Sequence, residues 1–418
     1  MLPVLQVIHV SDVHFKHASA SAVHPLNAKR RFAARMVHRL VERFDLFDWN
    51  EGTQGHYSKA PESFQRFLEG WRAGDKRWYG TVGDDDTAQT WLVDTGDLTA
   101  FGDDESLSIG QEHLQAWRTV LGHCQMRTLF GNHDAWPHTL PVYALIGFSP
   151  SDINRQREKI AKYPGWNKDS WISAPLSVTI PGTEARGGSK IELYALDTVC
   201  WGSVVNTLAV GDVDDADLTA LADRLRKHRG LHSVRNFRIL AMHHPIAYPY
   251  SWSERHSLVL FPAMRLLWAE KLARQLRNDA DDPKGLGPHA HLFLSGHTHV
   301  AYPAGALPSN VGDIHQGALA SSQLQLVNGA LMPNKSRKAA KRSPNGPQAP
   351  FDRTRQRFVP ATLDPGHCQA QILRFYSDEK RPGQLTLIRT PVSSIDGSVY
   401  VPGDPATVTL HFDTPAQL

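Results

Sequence analysis

Cysteine is scarce in this chain. Three residues in 418, Cys124, Cys200 and Cys368, stand too far apart for a zinc-ligand spacing or a disulfide framework. Their scarcity fits a reducing, cytoplasmic setting. Long apolar runs are also missing, and none approaches the length of a membrane span. The amino terminus, MLPVLQVIHVSD, has neither a basic start nor a small-residue cleavage site, so no signal peptide is expected; it reads as a strand that begins the fold. Charge of one sign is not in excess. Lys and Arg number 45 and Asp and Glu 42, and the net charge of +3 carries no argument for nucleic acid by itself. There is no internal repeat. What the chain has in quantity is histidine, 22 residues, which makes potential metal ligands plentiful.

Several short apolar runs end in polar clusters. VLQVIHV leads into Ser11-Asp12-Val13-His14, and TWLVDTGD ends in Asp94-Thr95-Gly96-Asp97. MRTLF leads into Gly131-Asn132-His133-Asp134, FRILAM into His243-His244-Pro245, and HLFLS into Gly296-His297-Thr298-His299. Runs of this length and composition suit strands buried on both faces. Helical patterns lie between them. Residues 29–44 carry an apolar stripe at helical spacing, and DDADLTALADRLRKH runs from acidic to basic as the helix dipole prefers. Alternating strands and helices predict an α/β fold of stacked layers, with functional groups beyond the carboxyl ends of strands. All five clusters fall there.

The predicted core spans residues 1–330, with an insertion at 46–86 lying over it. A Pro-, Lys- and Arg-rich loop or linker covers 331–358. A β-rich extension at 359–418 is expected to complete a second sheet.

Together the clusters supply Asp12, His14, Asp97, Asn132, His243, His297 and His299. This set of oxygen and nitrogen donors is large enough for two divalent ions that share one carboxylate. Without thiolates it suits Mn, Fe, Zn, Ni or Co, with Mn preferred. Two ions about 3.5–4 Å apart activate water at neutral pH and clamp an in-line phosphoryl displacement.

In order, the clusters read D-x-H, G-D, G-N-H-D, H and G-H-x-H. On these motifs the chain resembles the calcineurin-like metallophosphoesterases over about residues 4–325. The resemblance implies a four-layer αββα sandwich of two mixed sheets flanked by helices. It implies that Asp12, His14 and His299 hold one ion, and Asn132, His243 and His297 the other. Asp97 then bridges both, with a hydroxide that attacks phosphorus. His133 resembles the family's catalytic histidine, which would contact the phosphate and protonate the leaving oxygen. Asp134 is expected either to orient His133 or to cap a helix. His243 is preferred to His244 as ligand.

The text GDLTAFGDDES differs from the GDxVDRG of the fold's protein phosphatases and resembles the branch that includes cyclic-nucleotide phosphodiesterases. A small phosphodiester is therefore the expected substrate. A nuclease is the alternative, through the basic segment at 335–342 and Arg353, Arg355 and Arg357. A non-enzymatic scaffold is disfavoured because no required residue is missing. No membrane partner is expected, and the oligomeric state is open.

Overall fold

The structure is a computed structural model. It describes residues 1–15, 59–79, 88–99, 102, 104–135, 156–163, 166, 168–184, 188–199, 211–227, 236–249, 266, 269, 272, 276, 290–298, 301–305, 315–316, 323–331, 368–381, 383–394 and 397–412. The expected helix at 29–44, the segment at 335–342 with Arg353, Arg355 and Arg357, and His299 lie outside the described residues.

The first half of the chain supplies β1 (Leu2–Val10), α1 (Ala60–Gly74), β2 (Gln89–Asp94), α2 (Asp104–Val120), β3 (Gln125–Thr128) and the single turn α3 (Asn132–Ala135). Next come α4 (Asp169–Ser173), β4 (Leu176–Thr179), β5 (Lys190–Ala195), α5 (Asp215–Lys227), β6 (Phe237–Ala241) and β7 (Tyr248–Pro249). The last elements are β8 (Leu292–Ser295), β9 (Tyr302–Gly305), β10 (His315–Gln316), β11 (Leu324–Val327), β12 (Cys368–Ser377), β13 (Gln384–Ser394), β14 (Val401–Pro402) and β15 (Ala406–His411).

Two mixed sheets result. The first runs β14-β13-β12-β1-β2-β3, with β15 also paired to β13; the second runs β4-β5-β6-β8-β11-β9. In the first, β1, β2 and β3 are parallel to one another; in the second, β5, β6, β8 and β11 are. Parallel strands direct all their carboxyl ends to one side, which gathers the polar clusters.

Side-chain alternation explains the layering. In β5, Ile191, Leu193 and Ala195 enter one hydrophobic core, while Tyr194 and Leu196 enter another. β6 divides Phe237, Ile239 and Ala241 from Leu240 and Met242, and β8 divides Leu292 and Leu294 from Phe293. This is the period-2 pattern of strands covered on both faces. The first core also takes β1, together with Phe64 and Leu68 of α1 and Leu107, Leu114 and Trp117 of α2. The second takes Leu218, Leu221 and Leu225 of α5. The order is helices, sheet, sheet, helix: the four-layer αββα sandwich.

One expectation needs correction. The C-terminal strands do not complete the second sheet; β12 pairs antiparallel with β1, from Leu2 opposite Ser377 to His9 opposite Gln371, and β13 follows it. β2 covers only one edge of β1, and the returning chain covers the other. The described part of the 46–86 segment contains α1. α1 packs on α2 through a T-shaped contact of Phe64 and Trp117, 5.1 Å between ring centres, and forms part of the outer layer. Among the described residues, no helix is long and apolar enough to cross a membrane.

Candidate metal centre

The loops after β1 and β2 leave the sheet side by side. Asp12 N donates to Gly96 O (2.9 Å), His14 N to Asp97 O (2.9 Å) and Phe15 N to Leu98 O (2.8 Å), so the ladder outlasts the strands. Within it the backbone is strained. Asp12, His14 and Asp97 have φ of +52°, +54° and +55°, and His297 after β8 has +71°. Left-handed backbone costs a non-glycine residue about 1 kcal/mol or more and gathers at functional sites. His123, after α2, is the other described non-glycine residue of this kind. Four of the five described non-glycine positions with left-handed backbone are thus predicted ligands.

Close approach is enforced by glycine. A Cβ on Gly131 would stand 2.0 Å from Asp97 Oδ1, and one on Gly296 would stand 1.7 Å from Ser11 Oγ. These glycines let the β3 loop close on the Asp97 loop and the β8 loop close on Ser11 and Asp12. The sheets are then tied directly: His297 N donates to Asp12 Oδ2 (2.9 Å), and Gly296 N to His243 O (3.1 Å).

The side chains converge on His243. Its Nδ1 stands 2.8 Å from the carbonyl of Thr95, which can only accept, so Nδ1 carries a proton. Around its Nε2 lie Asn132 Oδ1 at 2.9 Å, His297 Nδ1 at 3.2 Å and Asp97 Oδ2 at 3.4 Å. The amide oxygen and the carboxylate only accept, and neutral Nε2 would be a further acceptor. A shared positive centre, a proton or a metal ion, satisfies such a set. Electrostatics agree. Burial pulls the His243 imidazole down, but Asp97 lifts it to about 9. Burial pushes the Asp97 carboxyl up, yet His243, His133 and His14 together hold it well below the usual carboxylate range. The fit to a cation is good, because metal binding replaces such a proton.

Three groups of donor atoms lie mutually within 4.8 Å: Asp12, Asp97 and His243; His14, Asp97 and His133; and His243, His244 and His297. Asp97 belongs to two of them, as a shared ligand must. The structure thus brings together Asp12, His14, Asp97, Asn132, His243 and His297, all buried, whereas His299 lies outside the described residues. His244 packs at 4.2 Å from the His297 ring and pairs with Thr198 through Nδ1 (2.9 Å).

His133 stands with its ring edge-on to His14, 4.7 Å between centres, and Nε2 3.9 Å from Asp97 Oδ2. Its backbone N–H donates to Asp97 Oδ1 (2.8 Å). The carboxylate of Asp134 accepts from Thr99 N (2.8 Å), Thr99 Oγ1 (2.9 Å), Gly131 N (3.0 Å) and Leu98 N (3.2 Å). The bond to Gly131 is of the helix-capping kind, and the others brace the Asp97 loop. Burial first, then Asp97, raises this carboxyl to about 6. The sequence reading missed Ser11, whose hydroxyl donates to Asp12 Oδ2 (2.5 Å), and Thr95, which orients His243. Their position inside the motifs was the available signal.

The family model described as calcineurin-like phosphoesterase matches residues 5–301. Among solved structures, a purple acid phosphatase from yellow lupin (Lupinus luteus) seeds aligns at 12% identity and a TM-score of 0.39. The alignment covers 98% of this chain and 54% of that one, so this chain spans about half its length. Among curated proteins, no match is found.

Proposed function

The chain belongs to the calcineurin-like phosphoesterases, and from that premise we propose that it is a binuclear-metal phosphodiesterase acting on a cyclic nucleotide or another small phosphodiester. The observation that carries the metal-dependent chemistry is the convergence of Asn132 Oδ1, His297 Nδ1 and Asp97 Oδ2 on His243 Nε2. In this reading Asn132, His243 and His297 hold one ion, Asp12, His14 and His299 the other, and Asp97 both. Manganese suits the donor set, which mixes imidazole with hard oxygen and has no thiolate. Two bound ions would supply Lewis-acid charge at the phosphoryl oxygens and a nucleophilic water at neutral pH.

The protein's own groups do the rest. Asp97 lends charge to both sites and receives the His133 N–H, which fixes where His133 stands. The His133 imidazole, at the edge of the cluster, holds the proton that the leaving oxygen takes. Asp134 keeps the Asp97 and Gly131 loops in register. The small-diester preference is supported by the text around Asp97, which differs from that of the fold's protein phosphatases. A cytoplasmic setting belongs to this reading and rests on the cysteine usage; Cys124 and Cys368 are buried and form no disulfide among the described residues.

A hydrolysis panel tests the reading. Metal-reconstituted protein is given cyclic nucleotides, simple phosphomonoesters and diesters, and single- and double-stranded nucleic acid. Faster turnover of small diesters than of the other substrates is expected. Preference for monoesters or for polymeric nucleic acid would overturn the substrate class while leaving the metal chemistry intact.

A further inference from the structure

A buried polar chain crosses the interior from the C-terminal strands to the metal cluster. It begins at Arg389 of β13, which is buried and has no ion pair among the described residues. Arg389 Nε donates to Gln371 Oε1 (2.7 Å), Gln371 Nε2 meets His9 Nδ1 (2.7 Å), and His9 Nε2 meets Thr95 Oγ1 (3.0 Å). The carbonyl of Thr95 then accepts from His243 Nδ1 (2.8 Å). Gln371 and Arg389 lie beyond residue 301, where the family match ends.

Every proton in this chain is determined by the one before it. A guanidinium only donates, so the amide atom facing Arg389 must be the oxygen. The amide nitrogen therefore faces His9, and His9 Nδ1 must accept. A neutral His9 then carries its proton on Nε2 and donates to Thr95 Oγ1. Burial, and next the Arg389 charge, hold the His9 imidazole down at about 3, which keeps it neutral. Thr95 is thus pinned at three points: N–H to Val10 O (3.1 Å), hydroxyl to His9, carbonyl to His243. It immediately precedes Gly96 and Asp97.

We propose that Arg389, Gln371 and His9 form a positioning relay that fixes Thr95, and through its carbonyl holds His243 with Nδ1 protonated and Nε2 directed at the metal. The C-terminal strands therefore tune the metal site although they contribute no ligand to it. The inference rests on His243 being a metal ligand, as proposed above.

The test uses the full chain. In wild-type protein, nitrogen-15 NMR of the imidazoles should find the His9 proton on Nε2; a proton on Nδ1 overturns the relay. Manganese affinity is then measured by chelator competition. Losing a group that orients a metal-binding histidine costs about 10–100-fold in affinity, and the low end is expected here because the relay acts through Thr95. Gln371→Leu and His9→Asn, whose amide is too short to reach Thr95, should each weaken binding about tenfold. His9→Gln restores a donor near the Nε2 position and should stay close to wild type. Folded variants that all keep wild-type affinity overturn the proposal. So does His9→Gln binding as weakly as His9→Asn, since the residue would then matter only for packing. A wild-type chain that binds no manganese or other divalent ion would instead sink the metal reading, and the His9 tautomer would still be read independently.

Discussion

The two ends of β1 both gather charge, half-buried at one and fully buried at the other, and they treat it differently. Near the amino end, Arg374 sits over Trp71 at 4.7 Å and Trp78 at 5.0 Å, donates to Gln6 Oε1 (2.9 Å) and lies 3.5 Å from Asp75. Gln6 is held in turn by Trp71 Nε1 (3.1 Å) and Tyr79 (2.7 Å). None of these residues has left-handed backbone. Past the carboxyl end, acceptors crowd around one histidine nitrogen, and Asp12, His14, Asp97 and His297 are all strained. Charge held among close-packed side chains is common to both ends. Only the second combines strain with acceptors that need a shared cation, and that combination marks a site rather than a packed polar cluster.

The largest effect should follow from Asp97→Asn. One substitution removes charge from both proposed metal positions and weakens the pairing with His243. Metal analysis of the folded variant should find both sites depleted, and turnover should fall by at least about 10²-fold, as when a transition-state charge partner is lost. A variant that keeps both ions with normal affinity would erase the distinction between the two ends.

His133→Ala should come next. It removes a proton donor without touching the proposed metal shell, so both ions should stay. Turnover of a diester with a poor leaving group should fall about 10²–10⁴-fold. A nitrophenyl ester needs less protonation and should lose less. Equal losses on both substrates, or a missing ion, would remove His133 from the leaving-group role.

Much of this site could be read from the chain because each motif is local. Asp12 and His14 follow β1 within four residues, and an apolar run ending in a polar cluster is visible in a single window. The strands buried on both faces were equally readable, since such strands announce themselves by composition. The partner of β1 was not. His9 and Gln371 meet across 362 residues of sequence, and nothing local distinguishes a strand that joins the first sheet from one that joins the second. The C-terminal strands were therefore recognised as strands and assigned to the wrong sheet. The packing of α1 on α2 was hidden for the same reason: Phe64 and Trp117 are neighbours only in the folded chain.

Gly296→Ala should damage the site through packing alone. The new methyl meets Ser11 Oγ and Asp12 Oδ2, at 1.7 and 2.5 Å, and the β8 loop must move away from Asp12. Overpacking of this kind costs about 1–3 kcal/mol, and the His297 N to Asp12 bond should break with it. A lower melting temperature together with weaker metal binding is expected; normal metal binding would show that the loops need not close so tightly. At the other end, Arg374→Met should lose a cation–π contact worth about 0.5–2 kcal/mol and leave metal affinity and turnover unchanged. A change in metal affinity would mean that the two ends of β1 communicate.

The smallest effect tests whether the helix at the amino end belongs to the same cooperative unit as the site. Gly70 lies on the exposed side of α1, and a Cβ there would meet nothing within 4 Å. Alanine at a mid-helix position removes the entropy that glycine loses on folding, about 0.5–1 kcal/mol. That gain reaches the global unfolding transition only if α1 unfolds together with the sandwich. The burial of Phe64 and Leu68 in the core shared with β1 and β2 says that it does. Gly70→Ala should therefore raise the denaturation midpoint slightly, without changing the dependence on denaturant, metal content or turnover. A variant whose global transition is unmoved while α1 alone resists proteolysis better would make α1 an appendage. The amino end of β1 would then be set apart from the site in stability as well as in chemistry.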